Sequence, residues 1–330
     1  MTDTSWEHLS DQAVWVCGIV YFLALLATLV EWASSRTVAE SPSYAAVGGG
    51  TVEAPAAPTG SAERVAVFGR FGVLLTGLAA AVHFVALVGR GMAADPNRVP
   101  WGNMYEFTLT AAFVVVAGYL VTRNRFKLAW LSPVVLGFAV AVLMADVLWL
   151  HERVAPLTEA LSSPWLVIHV VSAIIATGAF TLGGMTSVMY LLKDRKGDAA
   201  TGWLARIPAL RDLDRISYRF HAFGFPVWTF AALITGPIWA HQAWSSYWNW
   251  DPKEVWAFIT WVVYAAYLHA RATAGWKGRN AAIVALVGLA TLWFNFIGIN
   301  FFFGGGSQHS YASAPVVERT ETVIAVAPPA

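Results

Sequence analysis

Apolar residues in this chain do not alternate with polar ones. They run together in blocks of about membrane thickness, at about 12–32, 65–90, 104–122, 129–150, 165–192, 218–242, 253–270 and 281–303. A helix crosses the ~30 Å hydrocarbon core with about 20 such residues. Transmembrane β-strands would show ~10-residue segments of alternating hydrophobicity, and the runs Val134 to Leu150 and Ala281 to Phe303 do not alternate. The pattern predicts an all-α polytopic membrane protein of about eight transmembrane helices. Residues 33–64, mostly Ala, Ser, Gly, Pro and Thr, read as a flexible linker. The expected organisation is an N-terminal segment with the first helix (1–32), that linker (33–64), a seven-helix membrane domain (65–309) and a flexible tail (310–330). No repeat period stands out.

Composition strengthens this reading. Hydrophobic residues make up 57% of the 330 residues and charged residues 12%, against about 25% charged in a soluble domain. So few charges cannot cover a globule of this size. The net charge of +1 gives no global field of the kind a nucleic-acid binder shows, so no nucleic-acid partner is expected. The single cysteine, Cys17, excludes an internal disulfide and any CxxC pair.

Charge placement orients the helices. Arg123, Arg125 and Lys127 lie in one loop, Lys193 through Arg215 in another, and Arg271, Lys277 and Arg279 in a third. With eight helices these loops share a side, which the positive-inside rule makes cytoplasmic. Both termini then face outward, together with 91–103, 151–164 and 243–252. The first helix lacks the positive n-region and cleavage site of a signal peptide, so it is expected to be retained.

The densest chemistry lies at 239–256, WAHQAWSSYWNWDPKEVW, which holds five of the 17 tryptophans. Interfacial tryptophans commonly anchor helix ends at the headgroups. Five in so short an extracytoplasmic loop exceed what anchoring needs and suit a platform for a large flat apolar ligand. Trp244, Tyr247 and Trp248 stand at i, i+3 and i+4, so one helical turn would present all three together. Asp251-Pro252-Lys253-Glu254 carries the residues of a capping box that opens the seventh helix. Asn103 and Glu106 have the same spacing at the third.

From Trp244 through WNWDPKEVWAFITWVVYAAYLHAR, with GWKG at 275–278 and HSY at 309–311, the chain resembles the CcsA/ResC family of cytochrome c biogenesis proteins, which bear a Trp-rich "WWD" segment in an outward-facing loop. The resemblance extends through DLDRISY (212–218), PWLVIHV around His169 and NMYEF (103–107). It leaves out the first two helices and the linker. It implies a cytochrome c haem lyase or synthetase subunit in the plasma membrane. Such a subunit works with a ResB/CcsB-type membrane partner, joins haem b to the CxxCH of apocytochrome c, and depends indirectly on thiol-reducing proteins. Trp244, Tyr247, Trp248, Trp250 and Asp251 are then expected to line the haem platform.

Histidines supply candidate iron ligands. His169 opens the fifth helix and His309 follows the eighth after Gly304–Gly306, both on the side of the tryptophan segment. Two imidazoles there can take opposite faces of a haem; the resemblance implies that these two are its outward-facing axial ligands. His269 lies 18 residues beyond Asp251, ~27 Å along a helix, too far for the same haem. The resemblance implies that it serves a second haem near the cytoplasmic side, with the other ligand supplied by the partner. His8, His83, His151 and His241 are expected to be interfacial or packing residues. His221 stands at the depth of His269 where the resemblance has no ligand, and a packing or interhelical hydrogen-bonding role is expected.

Thioether formation needs no nucleophile from the enzyme, because the CxxCH thiols attack. It needs orientation and effective concentration. A chain with no catalytic triad, P-loop or nucleotide fingerprint fits that requirement. Two other readings stay open at this point: a haem relay without ligation activity, similar to CcmC-type haem handlers, and a membrane cytochrome whose haem is permanent.

Overall fold

A computed structural model describes residues 2–39, 59–154, 163–197 and 202–303. These residues form α1 (Asp3–Ala39), α2 (Thr59–Met92), α3 (Met104–Arg123), α4 (Ser132–Ala145), α5 (Pro164–Asp194), α6 (Leu210–Thr229), α7 (Gly236–Trp244), α8 (Pro252–Thr273), α9 (Arg279–Trp293) and a short α10 (Ile299–Phe302). No strand occurs among the described residues. Three π-helical turns interrupt the ladder, at Asp146–Leu150 after α4, Phe230–Thr235 between α6 and α7, and Phe294–Gly298 between α9 and α10. The chain is an all-α polytopic membrane protein.

Among the described residues, seven helical segments are long and apolar enough to cross a membrane, α6 with α7 and α9 with α10 each acting as one. The expected crossing at 253–270 does form a helix, α8, but it is not among the seven. Its 22 residues would reach ~33 Å. Lys253, Glu254, His269 and Arg271 lower its hydropathy, and so do its tryptophans and tyrosines. α1 and α2 run several residues into the stretch expected to be linker, and α1 starts at Asp3 rather than near residue 12. Residues 40–58 and the expected tail 310–330 lie outside the described residues.

Consecutive passes alternate in direction, which gives the bundle two ends. One holds the starts of α1, α3, α5 and α8 and all three π-turns; it is called the tryptophan end. The other holds the basic loops. One hydrophobic cluster joins α1–α4 to the basic-loop half of α5 and the start of α6. A second, aromatic cluster joins α5, α6, α8 and α9 through Phe180, Trp228, Tyr264 and Tyr267. Small residues let the helices close. A Cβ on Gly224 would fall 2.8 Å from the Phe180 ring, and one on Gly288 as close to Tyr264.

Ion pairs fasten both ends. At the tryptophan end Arg90, fully buried, meets Glu106 at 3.2 Å and lies within 3.8 Å of Glu7 and Asp11; it also donates to the Glu152 carbonyl. Breaking a buried pair of this kind strands a charge, at a cost of about 3–5 kcal/mol. Asn103 caps α3 as expected, accepting from Glu106 N at 2.9 Å. The Glu106 carboxylate does not complete a capping box. It turns instead to Arg90, Arg98 and the Gly102 N–H, because two guanidinium groups attract it more strongly than one amide. At the basic-loop end Arg271 of α8 makes a bidentate pair with Asp214 of α6, at 2.8 and 3.0 Å. Gly278 N donates to the same carboxylate, and Arg271 lies over the Tyr218 ring. The DLDRISY, YLHAR and GWKG motifs thus meet in one latch.

Candidate functional site: an aromatic cluster around His169

Ser163 opens α5 by accepting from Trp165 N, and its hydroxyl donates to Gln242 of α7 at 2.7 Å. With Pro164 at the first helical position, this fixes where α5 starts relative to the tryptophan segment. One turn further in, His169 Nδ1 lies 2.9 Å from the Ala231 carbonyl. A carbonyl only accepts, so the proton is on Nδ1 and the lone pair on Nε2, the arrangement that metal-ligating histidines adopt. The imidazole stacks on Trp239, with centroids 6.0 Å apart and planes 13° apart, and Trp239 meets Trp244 edge-on at 4.9 Å. Trp239 is 4% exposed and shares a cluster with Trp101, Leu166, Val170 and Ile174.

The rest of the tryptophan segment departs from expectation. α7 ends at Trp244 because Ser245 turns left-handed, with φ 59°, and Trp250 does so again at φ 58°. Residues 245–251 are therefore a loop, and Trp244, Tyr247 and Trp248 do not share a helical turn. Tyr247 instead stacks on His241, with centroids 4.2 Å apart. Trp248 meets Trp250 and Phe258 edge-on. Tyr247 and Trp250 are 59% and 75% exposed. The capping box at Asp251 is present in full. The Asp251 side chain accepts from Lys253 N at 2.9 Å, and Glu254 accepts from Asp251 N and Asn249 N. Glu254 thus holds the loop as well as the helix.

The last helix returns to the same end. Asn300 Nδ2 donates to Met104 Sδ at 2.9 Å, and Phe296 stacks on Phe107 at 4.5 Å. These contacts set α10 beside the start of α3 and next to the Trp101 loop. The described chain stops at Phe303, so His309 and the Gly304–Gly306 stretch lie outside the described residues.

His269 sits at the other end of α8 with its side chain exposed. His221 is fully buried, with Tyr264 and Tyr267 of α8 at 5.4 and 5.2 Å and Phe180 at 6.0 Å. Its Nδ1 lies 2.7 Å from the Ser217 carbonyl, and a Cβ on Gly183 would fall 2.5 Å from its ring. His269 is two residues past Tyr267, ~200° around α8. The two imidazoles therefore face different sides of that helix and do not enclose a common space. His83 is likewise buried, against Tyr21 and Phe113, and His151 pairs with Asp11 at 3.3 Å.

Sequence reasoning passed over three contributors: the Ala231 carbonyl, Gly236 and the Arg90–Glu106 hub. The Gly236-Pro237 dipeptide was the only local sign of the first two. Arg90 and Glu106 are far from each other in apolar surroundings, and only the fold pairs them.

Residues 101–305 match the family described as "Cytochrome C assembly protein". The chain is 33% identical over 248 residues to the "Cytochrome c biogenesis protein CcsA" of Trieres chinensis, covering 64% of this chain and 77% of that one. Identity to the protein of the same name from Chlamydomonas reinhardtii is 36% over 227 residues, covering 65% and 61%. For that from Synechococcus sp. (strain JA-3-3Ab) it is 31% over 297 residues, covering 72% and 84%. In fold, the chain is similar to a solved "Cytochrome c Heme Lyase CcmF", with a TM-score of 0.61 at 14% identity. That likeness covers 90% of this chain and 47% of the solved one, so this chain spans about half of the larger protein's length.

Proposed function

The chain belongs to the CcsA family of cytochrome c biogenesis proteins, and we propose that it is the haem-presenting membrane subunit of a cytochrome c haem lyase. In this reading the basic loops face the cytoplasm, the tryptophan end faces outward from the plasma membrane, and haem b is held there as substrate. His169 and His309 are its axial ligands, while Trp244, Tyr247, Trp248, Trp250 and Asp251 form the platform. The observation that carries the reading is the seat of His169. A ring whose Nδ1–H is committed to a carbonyl carries its lone pair on Nε2, the tautomer that metal-ligating histidines adopt, and the neighbouring indoles suit a flat macrocycle.

When bound, haem supplies two vinyl groups. Each thioether bond forms by addition of a CxxCH thiol across a vinyl, the sulfur bonding to one carbon and the proton going to the other, with no net change of oxidation state. This chain's residues supply orientation and exclude competing ligands. His309, on its glycine-rich tether, is the ligand that gives way to the histidine of the incoming peptide. His269 serves a second haem near the cytoplasmic side. Its exposed position on α8, away from His221, supports a ResB/CcsB-type partner as donor of the second ligand there.

The test is co-purification with a ResB/CcsB-type partner, followed by a haem spectrum and addition of a reduced CxxCH peptide. Covalent peptide–haem product is expected, with the haem spectrum changing to that of a thioether-linked haem. Haem that leaves without covalent product would instead indicate a relay. Haem that stays bound would indicate a resident cytochrome.

A further inference from the structure

The seat of His169 is built from backbone. In the π-turn Phe230–Thr235 the Gly236 N–H reaches back five residues to the Ala231 carbonyl, a connection that accommodates Pro237, which has no N–H to give. The Thr235 hydroxyl lies 3.1 Å from both the Phe230 and the Ala231 carbonyls. A carbonyl has two lone pairs and a hydroxyl one hydrogen. With Gly236 N and His169 Nδ1 on Ala231, the Thr235 hydrogen goes to Phe230.

The meeting is closely packed against residue 236, which has no side chain to crowd it. A Cβ there would sit 3.1 Å from the Ala231 oxygen, 3.2 Å from His169 Cε1 and 3.3 Å from His169 Nδ1. The backbone at Gly236 is ordinary helix, with φ −59°, so the requirement is for space and not for unusual dihedrals. A methyl group would push the ring off its carbonyl by a few tenths of an ångström. An isopropyl group would break the contact.

We propose that Gly236 is a positioning residue for the outer haem site: by leaving space for the His169–Ala231 hydrogen bond it fixes the imidazole in the Nδ1–H tautomer, so that Nε2 is the nitrogen that would coordinate a haem iron. The inference rests on the reading of His169 as a ligand. Partners that orient a metal-bound histidine typically contribute about 10–100-fold to affinity, so Gly236→Val should weaken outer-haem loading about tenfold or more, and Gly236→Ala less.

The experiment uses the complex with its partner, and the inner-haem spectrum of each sample reports folding. Two readouts separate positioning from packing. Imidazole 15N NMR of haem-free protein should show a single Nδ1–H tautomer for His169, changing to a mixture in Gly236→Ala. In a His169→Gly background reconstituted with free imidazole, which chooses its own orientation, adding Gly236→Val should cost nothing further. An equal loss from Gly236→Val in both backgrounds, or an unchanged tautomer in Gly236→Ala, would overturn the seat. If His169→Gly alone leaves the outer-haem spectrum intact, the ligand assignment itself fails and the seat with it.

Discussion

His169 and His269 stand at opposite ends of the bundle, and the chain treats them in opposite ways. At the tryptophan end the imidazole is oriented by a carbonyl and stacked on a buried indole, and its helix is pinned to α7 through Ser163 and Gln242. At the basic-loop end, no hydrogen bond to the His269 ring is found among the described residues. The ring is exposed on the one pass of the bundle that is not apolar enough to rank as a membrane span. An imidazole needs an orienting partner to serve well as a ligand. In the proposed reading, one site is prepared within this chain and the other needs a surface from elsewhere. α8 itself is fixed at both ends, by the capping box at Asp251 and by the Asp214–Arg271 pair.

The contrast can be broken most severely at the outer site. His309→Ala should reduce cytochrome c maturation to background while the protein still inserts, as measured by covalent haem staining of a reporter cytochrome. Normal staining would remove His309 from the site. The inner site gives the next largest effect. In a His169→Ala/His309→Ala background, with the partner present, His269→Ala should abolish the remaining haem spectrum and His221→Ala should leave it intact. Equal loss from both would mean that the enclosure of His221 between α5, α6 and α8 is not its whole role.

Asp251→Asn has a smaller expected effect and separates cap from charge. Asparagine caps about as well as aspartate, so α8 should start unchanged, yet haem content or transfer should fall clearly. Wild-type haem and yield would leave Asp251 with capping alone. The smallest effect on maturation, but a large one on stability, is expected at the Arg90–Glu106 hub. Glu106→Gln should lower stability in detergent by about 3 kcal/mol, read as an earlier unfolding transition, with the haem spectrum of the folded fraction unchanged. A transition at the wild-type temperature would show that the hub carries no net stability.

Much of this was legible in the chain. The blocks of apolar residues coincide with the long helical segments among the described residues, and the Asp251–Glu254 spacing gave a capping box that the structure contains in full. The turns were less legible. Ser245 and Trp250 adopt left-handed backbone without being glycine, so the i, i+3, i+4 spacing of Trp244, Tyr247 and Trp248 suggested a helical turn that the loop does not make. The π-turns arise from a register change in the hydrogen-bond ladder, for which Pro237 is only a weak sign. The Ala231 acceptor is a main-chain atom and leaves no trace in residue type. Glu106 fitted a local cap by spacing, but its carboxylate was claimed by arginines that the fold brings in from 16 and 8 residues away.

The most direct test of the account is the spectrum of His169→Ala in complex with the partner, recorded before and after imidazole is added. The expected result is loss of the outer bis-imidazole signal and of maturation, with partial return of both when free imidazole fills the space beside Trp239. Full maturation by His169→Ala without imidazole would contradict the central claim that this chain presents haem on His169.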